Sequence, residues 1–254
     1  MLHYKEMGEG TPLVILHGLF GMLDNWQTLG REWAQHYRVI LVDLPNHGRS
    51  PHTEAMDYDT MAEAVAHLLE TLDIHECYLL GHSMGGKVAM HTALTYPGLV
   101  KKLVVVDIAP RAYRRGHDDI FAALQTLDPA ALSDRSEAAE QLARHLPDPG
   151  VQLFLLKNLA RKPGGGFQWR MNLPAIFREY DKLVGSVGSP GVTFSGPTLF
   201  LRGGRSGYVR EEDRADILER FPAAQLATVE NAGHWVHAEQ PEATQVWVND
   251  FLAE

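Results

Sequence analysis

Cys77-Tyr78-Leu79-Leu80-Gly81-His82-Ser83-Met84-Gly85-Gly86-Lys87 is the stretch on which the fold turns. An apolar strand over residues 78–80 runs straight into Gly-x-Ser-x-Gly, and residues 87–96 then read as a helix that stops before Pro97. Strand, G-x-S-x-G and helix in that order is the context of a nucleophile elbow, a strained turn that lifts one serine clear of the backbone. Flanking side chains would clash there, and glycines at 81 and 85 remove them. Ser83 is therefore the candidate nucleophile. It stands at the N-terminal end of a helix, where the Met84 backbone N–H points to a substrate carbonyl oxygen as it becomes negative. The plainer alternative is a glycine-rich turn with an incidental serine; the strand and helix on either side weigh against it.

Outward from the elbow, short β-rich runs recur at residues 13–16, 39–42, 103–106 and 199–201, with helical stretches between the earlier ones. In residues 60–72, Ala62, Val65, Ala66, Leu68 and Leu69 fall at helical spacing. The alternation predicts an α/β fold, a mostly parallel sheet flanked by helices on both faces. Roughly ninety residues then separate Val106 from Leu199, far more than a crossover helix needs. This predicts an inserted helical cap over residues 111–195, with residues 1–110 and 196–254 forming the core. Within the cap, residues 136–146 and 151–160 read as helices, Pro163-Gly164-Gly165-Gly166 as a break, 167–172 as a short hairpin and 185–196 as the returning linker.

A chain of 254 residues with 45% hydrophobic content is long enough to bury one such core. Its 23 Lys and Arg against 32 Asp and Glu give a formal charge of −9, spread along the chain. That disfavours nucleic acid or an anionic membrane surface as partner. Cys77 is the one cysteine, so neither an intramolecular disulfide nor a cysteine zinc cluster can form, and a reducing cytoplasm fits best. No apolar run approaches membrane-spanning length, and residues 1–10 lack the apolar core of an export signal. The expectation is a soluble, unprocessed monomer or homodimer with no membrane insertion.

The base is expected on the last loop. Gly233-His234-Trp235 follows a strand-like stretch at 225–229 and precedes a final amphipathic helix at 241–251. Among 13 histidines, His237 is the nearest rival; His234 is preferred because Gly233 suits a tight, exposed loop. The pair lacks a third ligand at recognisable spacing, and no H-E-x-x-H occurs, so no metal is expected. A second oxyanion donor is expected in His17-Gly18-Leu19-Phe20-Gly21, which leaves the strand at 13–16: the Leu19 N–H first, with that of Phe20 as the neighbouring possibility. Phe20 and Trp235 are also candidate substrate contacts.

The acid departs from the common pattern, in which a carboxylate follows the strand that re-enters the sheet after the insertion. Arg202-Gly203-Gly204-Arg205-Ser206-Gly207-Tyr208 stands there without one, and Ser206 occupies the expected position. A hydroxyl cannot stabilise an imidazolium as a carboxylate does. Asp107, ending the run 103–106, lies one strand away, about 4.8 Å, and can still reach a histidine on a loop. Asp107 is the candidate acid, ahead of Asp213, Glu211 or no acid at all; its structural alternative is a carboxylate capping the following turn.

Taken together, His17-Gly18-Leu19-Phe20-Gly21, Asp43-Leu44-Pro45-Asn46-His47-Gly48-Arg49-Ser50, the elbow, Asp107-Ile108-Ala109-Pro110 and Gly233-His234-Trp235-Val236-His237-Ala238-Glu239 resemble the bacterial YbfF-type esterases and their mitochondrial relatives within the α/β-hydrolase superfamily. The match runs from about residue 12 to the end and is weakest in the insertion. The resemblance implies an α/β-hydrolase core with a helical cap, and cofactor-free hydrolysis of short- to medium-chain esters or acyl-CoA thioesters. It also implies an acid at Asp107. Pro45 stands where that group more often has Arg, which puts an anion contact at that position in doubt. Asn46 and His47 are expected to organise the loop beneath the site.

The mechanism expected is acyl transfer: His234 removes the Ser83 proton, the Leu19 and Met84 N–H groups hold the oxyanion, and water repeats the attack on the acyl-enzyme. Phe121, Phe154, Trp169 and Phe177 of the cap are candidate walls for the acyl chain. The same elbow also serves cofactor-free perhydrolases or haloperoxidases and carbon–carbon bond hydrolases, while dehalogenases and epoxide hydrolases need an Asp where Ser83 stands. Outside enzymes, a binding module that keeps the fold without its chemistry is the remaining alternative.

Overall fold

The computed structural model describes residues 1–254. Strands β1 (Tyr4–Met7), β2 (Pro12–Leu16), β3 (Arg38–Val42), β4 (Cys77–His82) and β5 (Val100–Val106) precede the insertion. A small hairpin of β6 (Leu159–Arg161) and β7 (Phe167–Trp169) lies within it, and β8 (Thr198–Gly203) and β9 (Ala224–Val229) follow. The main sheet has seven strands in the order β1-β3-β2-β4-β5-β8-β9. Only β1, at the edge, runs antiparallel. Its charged sequence Tyr-Lys-Glu-Met gives no apolar run, which is why this strand is silent in the sequence.

The helices are α1 (Gln27–Trp33), α2 (Tyr58–Thr71), α3 (Met84–Thr95), the cap helices α4 (Asp118–Thr126), α5 (Arg135–Ala143), α6 (Pro149–Leu156), α7 (Leu173–Arg178) and α8 (Tyr180–Leu183), and then α9 (Arg214–Arg220), α10 (Val236–Glu239) and α11 (Pro241–Ala253). Their starts are written locally. Asp57 caps α2 by accepting from the Thr60 N–H at 2.9 Å, and Asp148 with Pro149 opens α6.

Alternation along each strand sorts the core into two layers. Val14 and Leu16 of β2 pack with α2 and α3 in one cluster, whereas Leu13 and Ile15 pack with α1 and α11 in the other. Residues between β5 and β8 such as Phe121, Leu155 and Phe167 belong to the first cluster, so this segment shares its apolar core with one face of the sheet.

Two expectations inside the insertion are corrected. The helix expected over 151–160 ends at Leu156, and Ala160 instead pairs with Gln168 in the hairpin. That hairpin therefore spans Leu159–Arg161 and Phe167–Trp169 around the glycine break, not 167–172 alone. Apolar runs this short do not separate helix from strand by periodicity.

Candidate active site

Parallel pairing brings three functional segments to one edge of the sheet. His82 pairs with Val106 and Val106 with Leu201, so Ser83 and Asp107 each begin one residue past neighbouring strands. The Ser83 N–H donates to Val106 O at 3.0 Å and the Asp107 N–H to Leu201 O at 2.9 Å. Both residues leave the sheet with positive φ, 54° at Ser83 and 53° at Asp107, a conformation that costs energy for any side chain larger than glycine. The elbow is correspondingly tight: a Cβ on Gly81 would overlap the Gly85 carbonyl, and one on Gly85 the His17 carbonyl.

His234 Nε2 lies 3.0 Å from Ser83 Oγ, and His234 Nδ1 lies 2.8 Å from Asp107 Oδ2. A carboxylate only accepts, so Nδ1 carries the proton and Nε2 is left to accept from the serine hydroxyl. Asp107 is fully buried and holds further donors: the Gly203 N–H at 3.0 Å and the Ser206 hydroxyl at 2.5 Å. Ser206, at the position where an acid is usual, thus binds the Asp107 carboxylate. Neither rival carboxylate approaches the histidine by hydrogen bond: Asp213 pairs with Arg111 at 2.6 Å and Glu211 with Arg202. His237 stacks on Trp26 with ring centroids 4.1 Å apart.

The loop after β2 is the one expected to carry a second oxyanion donor. The Phe20 N–H is already given to His47 Nε2 at 3.2 Å, which removes it as an oxyanion donor. Leu19 is left, beside Met84, the first residue of α3, whose N–H has no partner within the helix. Two buried histidines hold this loop. His17 Nδ1 donates to Gly18 O and its Nε2 accepts from the Leu44 N–H, while His47 Nδ1 donates to Pro45 O. Each ring must be neutral, since a second proton would face an N–H. Burial accordingly lowers His17 to about 4 and His47 to about 3. Asn46 ties the same region to the insertion, accepting from Asn172 Nδ2 at 3.0 Å.

A family model for the alpha/beta hydrolase fold matches residues 11–149. The chain belongs to the α/β-hydrolase family. Esterase YbfF of Escherichia coli (strain K12) is 40% identical over 249 residues, covering 98% of this chain and 95% of its own. An sn-1-specific diacylglycerol lipase, ABHD11 of Danio rerio, is 40% identical over 247 residues, covering 94% and 77% respectively. Among solved structures, a marine microorganism esterase superposes with a TM-score of 0.96 at 38% identity, over 98% of both chains.

In this α/β-hydrolase two cavities, about 750 and 450 Å³, meet at Ser83, Leu19 and His117. The smaller one is lined by Phe20, Trp235, His234 and, from the insertion, Ile120, Val151 and Phe154. Of the four cap aromatics expected as walls, Phe154 alone lines either cavity. Phe121 is buried among Phe20, Phe177 and Tyr180, Phe177 is 42% exposed, and Trp169 lines a separate depression. Two residues that no sequence motif marks contact His234. Tyr208 stacks on the His234 ring at 3.9 Å, and His82 Nε2 donates to the His234 carbonyl at 2.8 Å. No local motif signals either contact, since His82 and His234 are far apart in sequence. His82 is held well below its usual pKa, first by burial and then by His234 and His237. No group of three or more His, Cys, Asp or Glu side chains is arranged to hold a metal ion.

Proposed function

We propose that this hydrolase cleaves carboxylic esters of small molecules through an acyl-enzyme on Ser83, with His234 as base and Asp107 as acid. The observation that carries the reading is the chain of contacts from Ser83 Oγ to His234 Nε2 at 3.0 Å and from His234 Nδ1 to Asp107 Oδ2 at 2.8 Å. As Ser83 attacks, His234 takes its proton and the buried Asp107 carboxylate stabilises the imidazolium. The Leu19 and Met84 N–H groups receive the oxyanion. His234 then protonates the leaving group, and water, activated by the same ring, releases the acid.

The names of the relatives, an esterase and a diacylglycerol lipase, support a carboxylic ester as the bond cleaved. The resemblance to YbfF-type esterases extends the reading to acyl-CoA thioesters, because a thiolate leaves from the same tetrahedral intermediate. Residues 111–195 serve as the cap, and Phe20 and Trp235 contact substrate from the smaller cavity. No helix is long and apolar enough to cross a membrane. With Cys77 as the one, buried thiol, a cytoplasmic protein is the setting that fits.

The test is hydrolysis of p-nitrophenyl and CoA esters across chain lengths by the wild type and Ser83→Ala. Turnover by the wild type alone is expected; equal turnover by both proteins would overturn the proposal.

A further inference from the structure

The two cavities that meet at Ser83 differ in charge. The smaller is lined by Phe20, Ile120, Val151, Phe154 and Trp235 together with His234, and its two charged residues, Lys157 and Glu239, are opposite in sign. The larger, about 750 Å³, is lined by Lys87, Arg111, Arg114, Arg115 and Arg210, and by no Asp or Glu. In a chain of formal charge −9 this concentration of cations runs against the average. Three of the five are paired with carboxylates that do not line the cavity: Arg111 with Asp213, Arg115 with Asp118 and Asp181, Arg210 with Glu212. Arg114 and Lys87 are matched by none.

Lys87 is buried, donates to the Arg111 and Gly185 carbonyls, and lies 4.9 Å from the centre of the Tyr113 ring. It contributes field from the wall. Arg114 is exposed at the rim, with no side-chain partner to hold it, so its guanidinium is available to close on a ligand. Tyr58, Tyr113 and Tyr180 share the lining with their hydroxyls already bonded, to the Leu183 carbonyl, the Tyr208 carbonyl and His117 Nδ1.

We propose that the larger cavity receives an acyl group ending in a carboxylate, so that the preferred substrates are half-esters of dicarboxylic acids. This rests on the esterase reading above. The direction follows from the chemistry of the base: His234 must hand its proton to the leaving alcohol, and His234 lines the apolar cavity, so the alcohol departs there and the acyl group lies in the basic one. A guanidinium meets a carboxylate through two parallel N–H donors, which suits Arg114 to this end of the substrate. Burial, with Arg111 close by, lowers Lys87 to about 7, and an anion in this cavity would restore its full charge.

The experiment compares kcat/KM for butyl half-esters of four- to eight-carbon dicarboxylic acids with butyl esters of the matching monocarboxylic acids. A third series, 3-carboxypropyl esters of the same monocarboxylic acids, puts the charge on the alcohol. The expected result is at least a tenfold preference for a half-ester at one or more chain lengths. Arg114→Gln should shrink that ratio severalfold, and Arg114→Lys should keep part of it. Ser83-dependent hydrolysis of the neutral esters with no half-ester preference would overturn this inference and leave the esterase reading standing. A preference confined to the 3-carboxypropyl series would overturn the placement of the acyl group. No hydrolysis of any ester would remove the esterase reading and this inference with it.

Discussion

Ser206 Oγ donates to Asp107 Oδ2, the same carboxylate oxygen that accepts from His234 Nδ1 at 2.8 Å. The hydroxyl after β8 and the histidine ring therefore meet at one oxygen of the carboxylate after β5. Asp107→Asn should lower kcat by a factor approaching ~10⁴, the scale known for the equivalent change in a serine protease. Ser206→Ala removes one donor to a buried carboxylate and should cost about 10- to 100-fold in kcat. Glu211→Gln, which touches only Arg202, should leave kcat close to wild type. Steady-state kinetics on p-nitrophenyl butyrate checks all three, and a Ser206→Asp change in the Asp107→Asn background should recover part of the loss.

Tyr208 stacks on the His234 ring, with the two rings 3.9 Å apart and 18° from parallel. Tyr208→Phe preserves the stack and should leave kcat within a few-fold, whereas Tyr208→Ala frees the imidazole and should lower kcat about tenfold. Similar kcat values for the two variants would show that the stack does not position His234.

Ser83, His234 and Asp107 can be singled out from the sequence because each stands at a punctuated strand end: glycines about the serine, Gly233 before the histidine, and a carboxylate closing an apolar run. Asp107 stands out further because residues 202–208 hold no rival. The parallel sheet is readable for the same reason, its inner strands being continuous apolar runs buried on both faces. The edge strand β1 is not, since its exposed Lys5 and Glu6 break the pattern. Tyr208, His82 and the cap aromatics acquire their partners only by tertiary packing. Phe121 and Phe177 illustrate this, with equal claims in the sequence and one buried, the other exposed.

The buried histidines set the acid limit of stability. His17 titrates at about 4 and His47 and His237 at about 3 in the folded protein, with burial the leading cause in each. Unfolded, they titrate near 6.5, so between those values the unfolded chain binds more protons and stability rises with pH. Their contribution is complete above pH ~6.5 and is lost progressively as pH falls toward 3 to 4. Thermal unfolding midpoints should therefore drop from pH 7.5 to pH 5, above the range in which ordinary carboxylates titrate. A flat midpoint over that interval would contradict the neutral, buried state of these rings.

The elbow glycines are steric requirements. A Cβ on Gly85 meets backbone oxygens of Leu16 and His17, which cannot step aside as a side chain can. Gly85→Ala should destabilise the fold by about 3 kcal/mol or abolish it. Gly98 has nothing within 4 Å of its Cβ direction, so Gly98→Ala is the control and should unfold near the wild-type temperature. Thermal denaturation of the two variants side by side decides the point.

The most direct measurement is covalent: the protein is treated with a fluorophosphonate and the adduct is mapped by peptide mass spectrometry. Ser83 lies 3.0 Å from His234 Nε2, so one phosphonyl group should appear on Ser83, with ester hydrolysis lost in step with labelling. Ser83→Ala should take up none, and His234→Ala should label orders of magnitude more slowly. A protein that hydrolyses esters at full rate while Ser83 stays unlabelled, or carries its label elsewhere, would contradict the assignment of Ser83 as nucleophile.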